Sequence, residues 1–182
     1  MKLNIGSGYK KYTGYVNIDA DINCNPDIIL NLDDTNLNLP FEDNSVTDVR
    51  AFHILEHIGA GYFKLLQEIY RVCKPGAIIE IQVPHPTHEI YLNDPTHKRP
   101  ITVEGMRLFS KKFNQLEIER GGSSSTLGFI FDVDFELVQY DYIYDPYYQD
   151  RVKMMSQEVI ERLFREALNT TLEIHMKVQV IK

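Results

Sequence analysis

A chain of 182 residues suits one domain with a single sizeable core, and 43% hydrophobic with 25% charged residues is the mix of an ordinary globular protein. The formal net charge of -7 argues against broad binding to a phosphate backbone, so a nucleic-acid partner is not expected. No apolar run approaches the roughly 18 residues of a membrane span, no signal-like segment precedes the first apolar strand, and Cys24 and Cys73 lack a CxxC spacing. These features describe a cytoplasmic protein with reduced, structural thiols.

Strands are expected at Lys2–Ile5, at Tyr15–Ile18 ending on Asp19, at Asp27–Leu32 and at Asp48–Phe52. Over residues 61–73 the period changes. Tyr62, Leu65, Leu66, Ile69 and Val72 recur at helical spacing, and Lys74-Pro75-Gly76 marks the helix end. Ala77–Val83 reads as a fifth strand. Residues 84–100 look like a long loop, Thr102 caps a short helix through Phe109, and Gly121–Ser125 is a further loop. Apolar alternation in 129–144 slips phase at Leu137, which predicts a strand with a β-bulge there. Ser156 caps a helix bearing Ile160, Leu163, Phe164, Ala167 and Leu168. The last strand alternates Leu172, Ile174, Met176, Val178 and Val180 with polar residues, so one face is buried and its pairing is antiparallel. The fold class is therefore α/β: a mostly parallel sheet ending in antiparallel strands.

Chemistry begins at Asn4-Ile5-Gly6-Ser7-Gly8. A strand ending in GxG lets a backbone turn approach a ligand with no side chain in the way. The next strand ends in Asp19, whose carboxylate can accept hydrogen bonds from a ribose. A dinucleotide site needs GxGxxG and a full helix. Here the third glycine position is Lys11 and only Tyr9–Gly14 separate Gly8 from the second strand, which counts against NAD and an oxidoreductase.

Together with Leu39-Pro40-Phe41-Glu42-Asp43-Asn44-Ser45, His53-Ile54-Leu55-Glu56-His57 and Glu68–Gly76, these elements occur in an order that resembles the class I S-adenosylmethionine (SAM)-dependent methyltransferases, in a compact branch with a shortened first helix. The resemblance covers residues 2–84. It implies a Rossmann-like sheet of seven strands with an antiparallel last strand and helices on both faces, in a single domain spanning 1–182, with 84–125 as acceptor-side loops. It implies SAM as cofactor, with Asn4, Gly6, Ser7 and Gly8 around the methionine part and Asp19 on the ribose. Asn31, Asp33 and Asp34 compete for the adenine, with Asp33 favoured, and Phe52 and His53 face the methionine tail.

Five of the six histidines lie in 53–97, after the fourth and fifth strands, where ligands bind in open α/β sheets. His53, His85 and His97 are the candidate general bases, needed only if the acceptor must lose a proton. His57 reads as a packing residue at the start of the 61–73 helix. His85-x-x-His88 with Asp94 or His97 offers nitrogen and oxygen ligands, but the spacing matches no established metal pattern and no metal is expected. Asp145-Pro146-Tyr147-Tyr148 resembles the box of amino-methylating DNA enzymes, yet it lies far from the fourth strand and lacks a second proline. Tyr140, Tyr142, Tyr144, Tyr147 and Tyr148 line an acceptor pocket or pack together. The expected function is methyl transfer to a small or medium polar acceptor; the alternative is a non-catalytic SAM-binding subunit that engages a protein partner.

Overall fold

The computed structural model describes residues 1–182. Seven strands form one sheet: β1 (Lys2–Ile5), β2 (Val16–Asp19), β3 (Ile28–Ile29), β4 (Val46–Phe52), β5 (Cys73–Pro84), β6 (Phe135–Tyr144) and β7 (Thr171–Val180). Their order is β3-β2-β1-β4-β5-β7-β6. The first five run parallel, while β7 lies antiparallel to both β5 and β6. The topological switch falls between β1 and β4, so the turns after these strands meet at one edge of the sheet.

Most elements fall where the pattern placed them, and the departures have physical causes. β3 is two residues long because it is an edge strand, with Ile29 left exposed. The expected Lys74-Pro75-Gly76 stop lies inside β5: the partner of Val46 is Cys73 and the partner of Asp48 is already Ile78, so these residues loop out of register, with Gly76 at φ +80°. Helix α1 (Tyr62–Val72) ends just before them. Residues 127–130 form a short helix, because Phe131 stacks flat on Phe63 of α1 at 4.1 Å and Val133 enters the core. The slip at Leu137 is a real register shift. Thr102 and Ser156 cap helices as expected, accepting from Gly105 N–H and Val159 N–H.

The core is one cluster in which Val49, Ala51, Ile79, Ile81, Val83, Ile174, Met176 and Val178 of the sheet meet Leu65, Leu66, Ile69 and Val72 of α1 and Val103 and Met106 from residues 103–107. The helices expected on both faces of the sheet are concentrated on this one. No α-helix precedes Tyr62, since the β1–β2 and β2–β3 connections are too short to hold one, and on the opposite face Arg50, Glu80, Gln82, Gln139, His175 and Lys177 stay polar and partly open. No helix is long and apolar enough to cross a membrane.

Candidate functional site

Where a first helix would stand, two buried asparagines hold the chain. The Asn4 amide donates to Asn17 Oδ1 at 2.9 Å and to the Lys10 carbonyl at 3.0 Å, and Asn17 Oδ1 accepts from Tyr12 N–H at 3.2 Å. Asn4 and Asn17 are thereby satisfied although nearly inaccessible. Tyr12 lies edge-on to Phe52 and, with Tyr15, receives the Arg50 guanidinium on its ring. The loop is thus pinned by side chains and not by a helical ladder.

The glycine turn is equally constrained. Gly6 and Gly8 have φ of +63° and +47°. A Cβ on Gly6 would lie 2.5 Å from Ile54 Cγ1, so no larger residue fits; a Cβ on Gly8 would meet nothing within 4 Å. Ser7 N–H donates to the Ile18 carbonyl, and Gly8 N–H donates to Asp19 Oδ2 at 2.7 Å. Asp19 Oδ1 accepts from Asp21 N–H at 2.9 Å, so each carboxylate oxygen of Asp19 retains a lone pair for a further donor.

Two cavities meet at Gly6. The larger, about 590 Å³, is walled by Asn4, Gly6, Ser7, Gly8, Lys10, Tyr12, Phe52, His53, Gln82 and Glu173. The smaller, about 210 Å³, is walled by Gly6, Asp19, Asn31, Asp33, Ile54, His57 and Lys98. Asp33 is already engaged there: its Oδ1 accepts from Gly59 N–H and Gly61 N–H, both at 2.8 Å, and Oδ2 pairs with Lys98. Burial would raise its pKa, but Lys98 and the two amides hold it below the usual carboxylate range. Asp34 accepts from Asn36 N–H and does not line the cavity, so of the three competitors for adenine it is Asn31 and Asp33 that share this wall.

The three candidate bases separate. His53 alone is on the larger cavity's wall. It holds φ +53°, with Nε2 3.3 Å from Glu173 and Nδ1 3.6 Å from Glu56. Glu173 and then Glu56 raise its pKa to about 9, against the opposing effect of burial, so at neutral pH it donates protons. His85 bonds Thr87 and lies near Tyr142, and burial lowers its pKa. His97 is tucked against Tyr91. His88 is a structural staple, accepting from Ile90 N–H through Nδ1 and bonding Asp145 through Nε2. Tyr142 and Tyr144 pack on Phe164, and Tyr140 against Tyr142; none of the five tyrosines lines the larger cavity. Gln82, Glu173, Lys10 and Lys98 are wall residues that sequence reasoning missed. Gln82 and Glu173 sit at polar positions of alternating strands, which only the sheet order brings beside β4.

Residues 3–81 match the family model described as a methyltransferase domain. That match covers less than half of the chain and is consistent with the resemblance of residues 2–84 to the class I SAM-dependent methyltransferases. The cofactor of that family is SAM. In fold, the protein is similar to a SAM-dependent methyltransferase from Archaeoglobus fulgidus, at 16% identity and TM-score 0.60, covering 98% of this chain and 85% of that one. It is also similar to SAM-dependent methyltransferases from Methanosarcina mazei, at 14% identity and TM-score 0.55, covering 99% and 92%. The [4+2]-cyclase SpnF shares the fold as well, at 14% identity and TM-score 0.56, covering 99% and 75%. No curated protein matches this chain by sequence.

The asparagine-pinned turn fits the cofactor. It leaves open space at Gly8, unused acceptor capacity on Asp19, and a cavity on either side of Gly6.

Proposed function

We propose that this methyltransferase transfers a methyl group from SAM to a small or medium polar acceptor that enters the larger cavity. The observation that carries this reading is Gly6 itself, the wall shared by a smaller cavity bearing Asp19 and a larger one lined by polar groups. SAM would supply an electrophilic methyl group on a sulfonium: the acceptor bonds to the methyl carbon as the carbon–sulfur bond breaks in line, and the neutral thioether leaves.

The chain's own contribution is positioning. Asp19 holds the ribose hydroxyls with its two spare lone pairs, and the glycine turn, locked by Ser7 N–H on Ile18, seats the methionine part next to Asn4. Asn31 and Asp33 edge the adenine side, and Phe52 flanks the tail. His53, Gln82 and Glu173 form the polar wall opposite, where the His53 imidazole, turned toward Glu173 and Glu56, fixes the polar surface that the acceptor meets. His85 and His97 stand outside that wall and play no direct part in this arrangement. The 84–125 segment closes the acceptor side of a single domain.

Titration with SAM and, in parallel, NAD tests the first half of this reading. Micromolar SAM binding that Asp19→Ala weakens at least tenfold is expected; a folded protein that ignores SAM would overturn it. Turnover of methyl-labelled SAM over a panel of polar acceptors tests the second half. A chain that binds SAM, methylates nothing and co-purifies with a partner would instead be a SAM-binding subunit.

A further inference from the structure

Glu56 is 1% exposed; neither of its carboxylate oxygens has a hydrogen-bond partner, and its ion-pair neighbour, His53 Nδ1, stands 3.6 Å from Oε1. Buried carboxylates are paired, hydrogen-bonded or bound to a metal, because desolvating the charge is otherwise very costly. The turn carrying it, Leu55–His57, is fastened from outside: the Glu56 carbonyl accepts from Lys98 N–H at 2.7 Å and from Arg99 N–H at 3.3 Å. This brings the 94–99 loop, and His97 with it, against Glu56 and His57. One oxygen of Glu56 and one ring nitrogen from each histidine lie within 4.8 Å of one another, and the two rings are 4.6 Å apart.

The tautomers decide what these rings offer. His97 Nδ1 faces the Tyr91 carbonyl at 2.7 Å, which only accepts, so the proton is on Nδ1 and Nε2 carries a lone pair. Thr96 O–H donates to Asp94 Oδ1 at 2.6 Å, leaving its oxygen to accept from His57 Nδ1–H at 2.9 Å. His57 Nε2 therefore also carries a lone pair. Anchoring Nδ1–H on a carbonyl or on a hydroxyl–carboxylate relay is how proteins orient metal-binding imidazoles. Tyr91 stacks on the His97 ring at 4.9 Å and fixes its plane.

We infer that Glu56, His57 and His97 form a binding site for a divalent transition metal of the zinc type. Two neutral imidazoles and one carboxylate suit Zn²⁺, Co²⁺ or Fe²⁺, whereas Mg²⁺ and Ca²⁺ favour oxygen ligands. Three protein ligands leave a coordination position open, and His57 also lines the smaller cavity, so the site is not sealed from solvent. The histidine pair weighed from spacing, His85 and His88, does not join this group, since His88 is spent on its cap and on Asp145. The inference does not depend on methyl transfer, because its test reads the metal itself.

The full chain, stripped with chelator and dialysed, is titrated with Zn²⁺ by calorimetry and with Co²⁺ by visible absorption. One equivalent at micromolar affinity or tighter is expected, with a Co²⁺ spectrum showing nitrogen ligation. His97→Ala and Glu56→Gln should each weaken binding at least tenfold, while His85→Ala should not. Absent binding, or binding that survives His97→Ala and Glu56→Gln, would overturn the site.

Discussion

Glu56 and Glu68 are both buried glutamates, and their surroundings are opposites. Around Glu68 every group is used: its carboxylate accepts from Leu39 N–H at 2.9 Å, from Lys64, and from Arg71, which also reaches the Leu39 and Phe41 carbonyls and Asp43. That network ties the 38–43 loop to α1 within the chain. Around Glu56 the carboxylate makes no hydrogen bond and has only a longer ion pair, with His53 Nδ1 at 3.6 Å. A fully partnered buried carboxylate fixes a loop. One held by no hydrogen bond and ringed by oriented imidazoles is organised for something outside the chain.

The largest expected effect comes from the residue that props up the Glu56 turn. Gly6→Ala combines a left-handed backbone unsuited to alanine with a Cβ driven into Ile54, the residue that opens this turn. A loss of about 3 kcal/mol is expected from the sum of strain and overpacking. Gly8→Ala, which meets no atom, should cost only about 1 kcal/mol. Chemical denaturation of both variants checks this. Hydrogen exchange on Gly6→Ala should rise over residues 54–58 and stay low over 62–72; equal rises would show that the two regions are not separable.

Arg71→Ala makes Glu68 resemble Glu56. A loss of about 2 kcal/mol is expected, less than for a sealed pair because Arg71 is partly exposed and Lys64 and Leu39 N–H remain. Burial alone would raise the Glu68 pKa, but Arg71, Leu39 N–H and Lys64 together hold it below the ordinary range. The stability it contributes is therefore present above the unfolded pKa of about 4.3 and is lost as pH falls through the lower folded value. Wild type should lose stability across that acid window, and Arg71→Ala should lose less of it. Parallel acid limbs for the two proteins would contradict this role for the ion pair.

The Glu68 region was legible in the sequence and the Glu56 region was not. Leu65, Leu66, Ile69 and Val72 announce α1 by their period, and the strands around it follow from apolar runs. The glycine turn and Asp19 could be placed because each stands at the end of a strand. Pairing Glu56 with His97 depends on the 94–99 loop folding back on a turn forty residues earlier, a contact made by backbone amides that carry no sequence signal. The helix at Lys111–Glu119 escaped for a related reason: its register is set by Asn114 bonding Gly128 N–H and the Leu108 carbonyl, and its apolar face is weak. Asp33, expected as a ligand-binding carboxylate, lies on the smaller cavity's wall. What the sequence could not show is that Gly59, Gly61 and Lys98 already occupy most of that carboxylate.

His53 yields the smallest and most specific effect. It holds a left-handed backbone as a non-glycine residue, where the Gly6–Gly8 turn meets the same demand with glycines. Its N–H is fixed on the Gln82 carbonyl at 2.8 Å, so the sheet imposes this conformation regardless of the side chain. Replacing His53 with Gly and with Ala removes the imidazole in both cases, but only Gly removes the backbone strain. Gly should therefore be more stable than Ala at this position by about 1 kcal/mol. Both variants should lose acceptor turnover to a similar degree while keeping SAM affinity, because what they share is a missing imidazole on the cavity wall, where it holds Glu173. If the two variants unfold at the same denaturant concentration, the chain is not held left-handed there. In that case the histidine would be where it is for packing, and the strain would not be the cost of placing an imidazole on the cavity wall.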